Sequence, residues 1–241
     1  GGWAVAEAAE DTDNLRRQFI ALFGRPRRTY VAGGSEGGIV TVKVAEQFPR
    51  DADGRLNYDG ALAACGPLAG GQRAWEGALD LRVIYQYYCR NLPRPEERPY
   101  ELWYGLDPSG PPLSMVQVAG RVNECTGVFQ PEAERSPEQR ARLGAILGAT
   151  RIPESFLAGD LLYATFFLQE IAVVRLGGKA PVGNRNAVYR GSPDDVALNA
   201  GVARYDQSPE GAAFFRDAYE PTGRLAAPLL ALHTTGDGLV I

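Results

Sequence analysis

Residues 29–40 read TYVAGGSEGGIV, an apolar run that meets a serine flanked by glycines. Gly33, Ser35 and Gly37 match the spacing G-x-S-x-G, which is typical of a nucleophile elbow, a sharp turn between a strand and a helix that raises a serine hydroxyl above a sheet edge. So tight a turn brings backbone segments together on both sides of the serine, where only hydrogen fits as a side chain. The stretch therefore predicts a strand, a turn at Ser35 and a helix.

A β-hairpin is the alternative interpretation of the same stretch. Residues 39–44 read IVTVKV, and such β-branched side chains suit a strand better than a helix. Residues 34–37 would then form the tip of the hairpin, and Ser35 would be an ordinary turn residue. The surrounding order favours the elbow, because an amphipathic helix precedes the strand and another apolar run follows the next loop, as in parallel strands joined by helices.

Apolar periodicity and chain breakers extend this α/β order on both sides. The predicted elements are a helix over 4–23, a strand over 27–32, a helix from the elbow to about 48, and strands over 58–65 and 228–234. The first helix has its predicted core-facing stripe at Leu15, Phe19, Leu22 and Phe23. These elements predict parallel strands in an α/β fold.

Helices joined by proline-rich loops are predicted from about residue 70 to residue 222. Three of them are expected to begin at Ser-Pro pairs, at residues 136, 192 and 208. Residues 91–112 hold many prolines and are expected to form an extended cover rather than a packed core. Residues 156–176 are apolar on nearly every face, which indicates either a helix that lines a cavity on one side or a plain buried helix.

Composition and charge limit the classes of function. Of the 241 residues, 45% are hydrophobic and 22% are charged, which is typical of a soluble globular protein. The net charge is −4 with both signs interspersed, so we expect no nucleic-acid partner. The longest uncharged apolar window, near residues 161–169, is far too short to span a bilayer, so no membrane span is expected.

The three cysteines bear on metal binding and location. Cys65, Cys89 and Cys125 match no zinc-binding spacing, so we expect no metal site. Cys89 and Cys125 are either a disulfide or two free buried thiols, and a disulfide would argue for an oxidising compartment, as in a secreted or periplasmic protein. The first residue is Gly1 and the only methionine is Met115, so we expect the natural start to lie upstream.

Acyl transfer by a serine requires a base, an acid that orients the base, and amide donors for the oxyanion. Residues 229–237 read LLALHTTGD, and Asp237 is the candidate acid because open α/β sheets gather site residues at the carboxyl ends of strands. Asp237 is alternatively a turn residue after Gly236. The amide of Glu36, which follows the serine at the start of a helix, is the candidate oxyanion donor.

These segments resemble the α/β-hydrolase superfamily. Residues 30–38 resemble its nucleophile elbow, residues 228–240 resemble its common strand ending LLHGTGDPLVP, and residues 58–66 are similar to the strand between them. The resemblance implies an α/β fold class: a partial α/β-hydrolase fold whose mostly parallel sheet is flanked by helices. It also implies a partial core over residues 1–70, a large helical lid insertion over 71–223, and a return to the core sheet over 224–241.

The resemblance also implies roles for individual residues. Ser35 corresponds to the nucleophile, Asp237 to the triad acid, and the Glu36 amide to one oxyanion donor. The histidine of the family follows one further strand and helix, so the resemblance places it beyond residue 241, and the second oxyanion donor before the helix near residue 4. His233 is the only histidine, and the resemblance makes it a structural residue at a strand end rather than the base.

The expected function is a serine hydrolase that cleaves esters through an acyl-enzyme, like a carboxylesterase or lipase, because an apolar, aromatic lid suits an acyl or aryl group. We expect no cofactor. One alternative is a serine peptidase like prolyl oligopeptidase, whose Gly-Gly-Ser-x-Gly-Gly elbows are similar. Another is a non-catalytic protein of the same fold that binds a small molecule or a partner. A third is an unrelated α/β domain with a chance G-x-S-x-G.

Overall fold

The computed structural model describes residues 3–235 and residue 237. The described chain forms two compact units. The first contains residues 3–74 and the described residues from 214 onward, and the second contains residues 75–213. The described residues are mixed α/β, with eight α-helices and one sheet of three strands.

The sheet belongs to the first unit and is parallel throughout. Its strands are β1 (Tyr30–Gly34), β2 (Gly60–Ala64) and β3 (Leu229–Leu232), in the spatial order β1-β2-β3. Helix α1 (Val5–Phe23) precedes β1, and helix α2 (Glu36–Gln47) connects β1 to β2. The predicted α/β class with parallel strands is confirmed. The hairpin interpretation is wrong, because residues 36–47 are helical despite their β-branched side chains.

Helix α1 packs against this sheet with a face that its apolar pattern does not predict. Its buried residues are Val5, Ala9 and Asp13. The buried Asp13 carboxylate accepts hydrogen bonds from the Tyr58 hydroxyl at 3.1 Å and from Nε of Arg16 at 2.8 Å, which compensate its loss of solvation. The residues predicted to face the core are instead 48–75% exposed: Leu15, Phe19, Leu22 and Phe23.

The second unit is helical. Its helices are the greater part of α3 (Gly71–Cys89), then α4 (Met115–Thr126), α5 (Pro137–Thr150), α6 (Glu154–Gln169), α7 (Asp195–Gly201) and the first part of α8 (Pro209–Ala218). Residues 91–112 are not the extended cover that the sequence predicts, because Leu102, Trp103 and Leu106 are buried. The fully buried Arg82 fixes this segment by donating from Nη2 to the carbonyls of Leu92 and Gly105, each at 3.1 Å.

A disulfide joins two helices of the second unit. Cys89 at the end of α3 and Cys125 in α4 are bonded, with their Cα atoms 5.6 Å apart and 36 positions apart in sequence. Of the two alternatives that the sequence left open, a disulfide or two free buried thiols, the structure has the disulfide. A loop of this size implies a stabilisation of about 4 kcal/mol from the reduced entropy of the unfolded chain.

Helix α6 continues into a π-helical segment, Glu170–Arg175. Together the two segments have 22 residues, and an 18-residue window within them has a mean hydropathy of 1.5, so the helix is long and apolar enough to cross a membrane. Half of the window is buried within the protein, and buried core helices of soluble proteins meet the same criteria. Length and composition therefore do not establish a membrane span.

Candidate functional site

Ser35 lies in the turn between β1 and α2 and has an unusual backbone conformation. Its φ is 54° and its ψ is −126°, a region that costs a non-glycine residue about 1–3 kcal/mol. The Ser35 amide donates to the carbonyl of Ala64 at 2.9 Å, and the Gly38 amide donates to the Ser35 carbonyl at 2.8 Å. The turn is therefore fixed to β2 on one side and to α2 on the other, and these bonds hold the strained conformation.

Other helices of the chain show what a serine normally does at this position. Ser114 and Ser136 precede α4 and α5 in extended backbone, and each hydroxyl accepts from an amide of the first helical turn, at 3.3 and 3.1 Å. Ser35 occupies the same position before α2, yet within the described structure its side chain makes no capping bond. Its side chain is exposed. The hydroxyl of Ser35 is therefore exposed and does not cap the helix that follows it.

The glycines around Ser35 are not equivalent. A Cβ on Gly33 would lie 2.1 Å from the carbonyl oxygen of Gly37, so no larger residue fits. A Cβ on Gly37 itself would meet no atom within 4 Å outside its own helix and chain neighbours, so the predicted steric need for this glycine is wrong. The second close approach involves Gly38, where a Cβ would lie 2.8 Å from the Cα of Gly66 after β2. Sequence reasoning missed this pair.

Glu36 is the first residue of α2. The amides of the first helical turn have no carbonyl partner within the helix and point out of its N-terminus. The carboxylate oxygen Oε1 of Glu36 accepts a hydrogen bond from the amide of Ala4 at 3.2 Å. Ala4 lies just before α1. The side chain of Glu36 thus ties the start of α1 to the start of α2, and its amide is one of the amides of the first helical turn.

Asp237 follows β3 and is partly exposed. The hydroxyl of Thr234 donates to its Oδ2 at 3.5 Å, at the limit of a hydrogen bond. Because the strands are parallel, the carboxyl ends of β1 and β3 lie at the same sheet edge, with β2 between them. The ends of β1 and β3 are therefore roughly 10 Å apart. Ser35 directly follows the end of β1, whereas Asp237 lies five residues beyond the end of β3. Gly236, on which the turn interpretation of Asp237 depends, lies outside the described residues.

Two further residues lie at this edge. His233 directly follows β3 and is exposed. Cys65 directly follows β2, has a positive φ of 49°, and donates from its amide to the carbonyl of Leu232 at 2.7 Å. Its thiol forms no disulfide within the described structure. Cys65 was not predicted as a residue of this site. The sequence signal that could have found it is its place between an apolar strand and the Gly66-Pro67 pair, which marks a strand end.

In the described part of the chain, no three His, Cys, Asp or Glu side chains cluster in a way that could hold a metal ion. Comparison with known proteins found no matching family model, no matching curated protein and no matching solved structure.

Proposed function

We propose that this chain carries the nucleophile of a serine hydrolase of the α/β-hydrolase class, which cleaves ester bonds through an acyl-enzyme. The observation that carries the proposal is Ser35, an exposed serine in a strained turn before a helix that it does not cap. Strain in a backbone is characteristic of functional sites, and a serine that only capped α2 would need none. The parallel sheet, the absence of room at Gly33 and the helix after Ser35 all agree with a nucleophile elbow.

In the proposed reaction, Oγ of Ser35 attacks the ester carbonyl while a base takes its proton. The amide of Glu36 stabilises the oxyanion, the alcohol leaves with a proton, and water then releases the acid from the acyl-enzyme. Asp237 is the proposed acid that orients the base, since it and Ser35 both follow the carboxyl ends of parallel strands in one sheet, where α/β folds gather their site residues. His233 lies on the same strand end as Asp237, so we do not assign it as the base.

The residues of the proposed helical lid are 71–223. The second compact unit, residues 75–213, lies within that range. Esters are proposed before peptides as substrates, because an apolar, aromatic lid suits an acyl or aryl group. A serine peptidase remains the alternative enzyme, and its distinguishing activity is cleavage of peptide amides after proline.

A non-catalytic binding protein of the same fold is the second candidate. The observation that favours it is the single histidine of the 241 residues, His233, whose position makes it a poor base for Ser35. Such a protein would keep the strained turn and bind a ligand at the sheet edge without forming an acyl-enzyme.

Labelling with a fluorophosphonate probe tests the proposal. We expect Ser35 to be labelled faster than any other serine, and Ser35→Ala to abolish labelling. Ser136→Ala, which removes a capping serine, should leave the labelling intact. His233→Gln should not slow it, and added imidazole should accelerate it by supplying a base. Failure to label Ser35 even with imidazole would support the binding protein and overturn the hydrolase.

A further inference from the structure

The solvent-facing side of α6 and the following π-helical segment is apolar. Exposed side chains occur along its whole length: Phe156 (39%), Tyr163 (49%), Val173 (38%) and Val174 (72%). Residues seven positions apart, such as Phe156 and Tyr163, differ by only about 20° around a helix, so they share one face. The only charged residue between 155 and 169 is Asp160, which is buried. An uncharged face therefore runs along several turns of helix.

Aromatic contacts keep this face in one arrangement. The ring of Tyr163 stacks on Phe167 with centroids 5.3 Å apart, and Phe167 packs on Trp75 of α3 at 5.8 Å. The two charged residues farther along, Glu170 and Arg175, pair with each other, with Nε of Arg175 2.8 Å from Oε1 of Glu170. The face is thus a preformed apolar surface, and the charged side chains at the two ends of the segment are ion-paired: Glu154 with Arg135, and Glu170 with Arg175.

The two ends of the segment carry cations. Arg151 precedes α6 and Lys179 follows the π-helical segment, and both are exposed. Among the described residues neither forms an ion pair. The 22 residues between Glu154 and Arg175 extend about 33 Å, so one positive charge lies beyond each end of the apolar face.

We propose that this face, with Arg151 and Lys179, binds an anionic lipid surface, with the helix parallel to the membrane plane. Aromatic and aliphatic side chains enter the boundary between headgroups and acyl chains, and flanking cations contact anionic headgroups. A second copy fits less well, because a two-fold axis through the face would place like charges beside each other at both ends. The binding does not depend on Ser35 as a nucleophile and goes beyond the proposed hydrolysis.

Co-sedimentation with vesicles tests this inference on the full chain with Ser35→Ala, so that no lipid is consumed. One set of vesicles is phosphatidylcholine alone and the other contains an equal part of phosphatidylglycerol. We expect binding, tighter on the anionic vesicles. Phe156→Ser with Val174→Ser should weaken it by roughly tenfold or more. Val116→Ser with Val196→Ser is the matched control, since both valines are more than 80% exposed on other helices of the unit.

A second pair of variants tests the charges without touching the packing. Arg151→Gln with Lys179→Gln should remove the preference for anionic vesicles, whereas Arg142→Gln with Arg190→Gln, also exposed in the same unit, should retain it. Thermal unfolding must be the same for all variants. The inference is overturned if neither vesicle binds the chain, if the control pairs lose binding equally, or if the apolar pair instead abolishes a dimer detected by analytical ultracentrifugation.

Discussion

Replacing Gly33 by alanine tests the close packing on which the elbow depends. The added Cβ would lie 2.1 Å from the carbonyl oxygen of Gly37, 2.5 Å from its carbonyl carbon and 2.9 Å from Oγ1 of Thr41. Favourable contacts between such atoms lie near 3.5 Å, so the backbone of β1 or α2 must move by more than about 1 Å. A rotamer change cannot relieve the clash, because two of the three atoms belong to the backbone.

The expected cost follows from that displacement. Overpacking of a well-packed site costs about 1–3 kcal/mol and occasionally more. We expect the upper end for Gly33→Ala, about 3 kcal/mol, because the clash is with backbone. For a chain of this length, 1 kcal/mol corresponds to about 2–4 °C, so Tm should fall by about 6–12 °C. The Ser35 hydroxyl should also lose its reactivity towards a fluorophosphonate, since its turn must deform.

Gly37→Ala is the matched control within the same motif. A Cβ at this position meets no atom within 4 Å outside its own helix and chain neighbours, and alanine favours helix over glycine by up to about 1 kcal/mol. Differential scanning calorimetry should therefore show an unchanged or slightly raised Tm, and labelling of Ser35 should persist. Equal stability of Gly33→Ala and wild type, or equal destabilisation by the two variants, would refute the close-packed turn.

The remaining predictions concern the second unit. Replacing Cys89 and Cys125 by serine should lower the free energy of unfolding by about 4 kcal/mol in urea titrations, and an unchanged value would exclude the disulfide. Burial raises the pKa of Asp80 to about 6, although the Tyr189 hydroxyl donates to its Oδ1 at 2.6 Å. A raised pKa in the folded state means that the stabilisation is complete below about pH 4 and is lost as pH rises through about 6. Asp80→Asn, which keeps an acceptor for Tyr189, should therefore be more stable than wild type by about 1–3 kcal/mol at pH 7.5 and equal to it at pH 4. A constant difference across this pH range would contradict the assignment.

The order of elements in the first unit was predictable because helices and strands alternate with clear breakers. The helix after Ser35 was the ambiguous element, since residues 39–44 are β-branched. Tertiary context overrides that preference: Ile39, Val42 and Val44 are buried, and Gly38 packs against Gly66. The backbone strain at Ser35 agrees with the G-x-S-x-G spacing, but sequence could not show which of its glycines is sterically required.

The packing face of α1 was not predictable from its apolar stripe. Its inner face uses small residues and Asp13, whose burial depends on a hydroxyl from Tyr58, forty-five positions away. No local pattern encodes such a partner. Likewise the helix expected at Ser192 begins later, because the Asp194 carboxylate accepts from the Ala197 amide at 2.9 Å and caps α7 instead.

The prolines of residues 91–112 led to the wrong prediction that this segment is an extended cover rather than part of a packed core. They exclude regular helix, but they do not exclude burial. The segment packs because the guanidinium of Arg82 satisfies two of its carbonyls, which lets Leu102 and Trp103 enter the core. A long-range contact of this kind carries no signal in sequence spacing. The serine-capped starts at residues 136 and 208, in contrast, are confirmed because capping is local.

Trapping of an acyl-enzyme tests the central claim most directly. Rapid acid quenching after mixing the chain with p-nitrophenyl butyrate, with and without imidazole, should preserve a butyryl adduct that mass spectrometry can locate. Trypsin releases residues 29–43, in which Ser35 is the only serine. We predict the butyryl mass on this peptide, at Ser35, and its loss in Ser35→Ala. An adduct on another peptide, or an unchanged yield in Ser35→Ala, would contradict the assignment of Ser35 as the nucleophile.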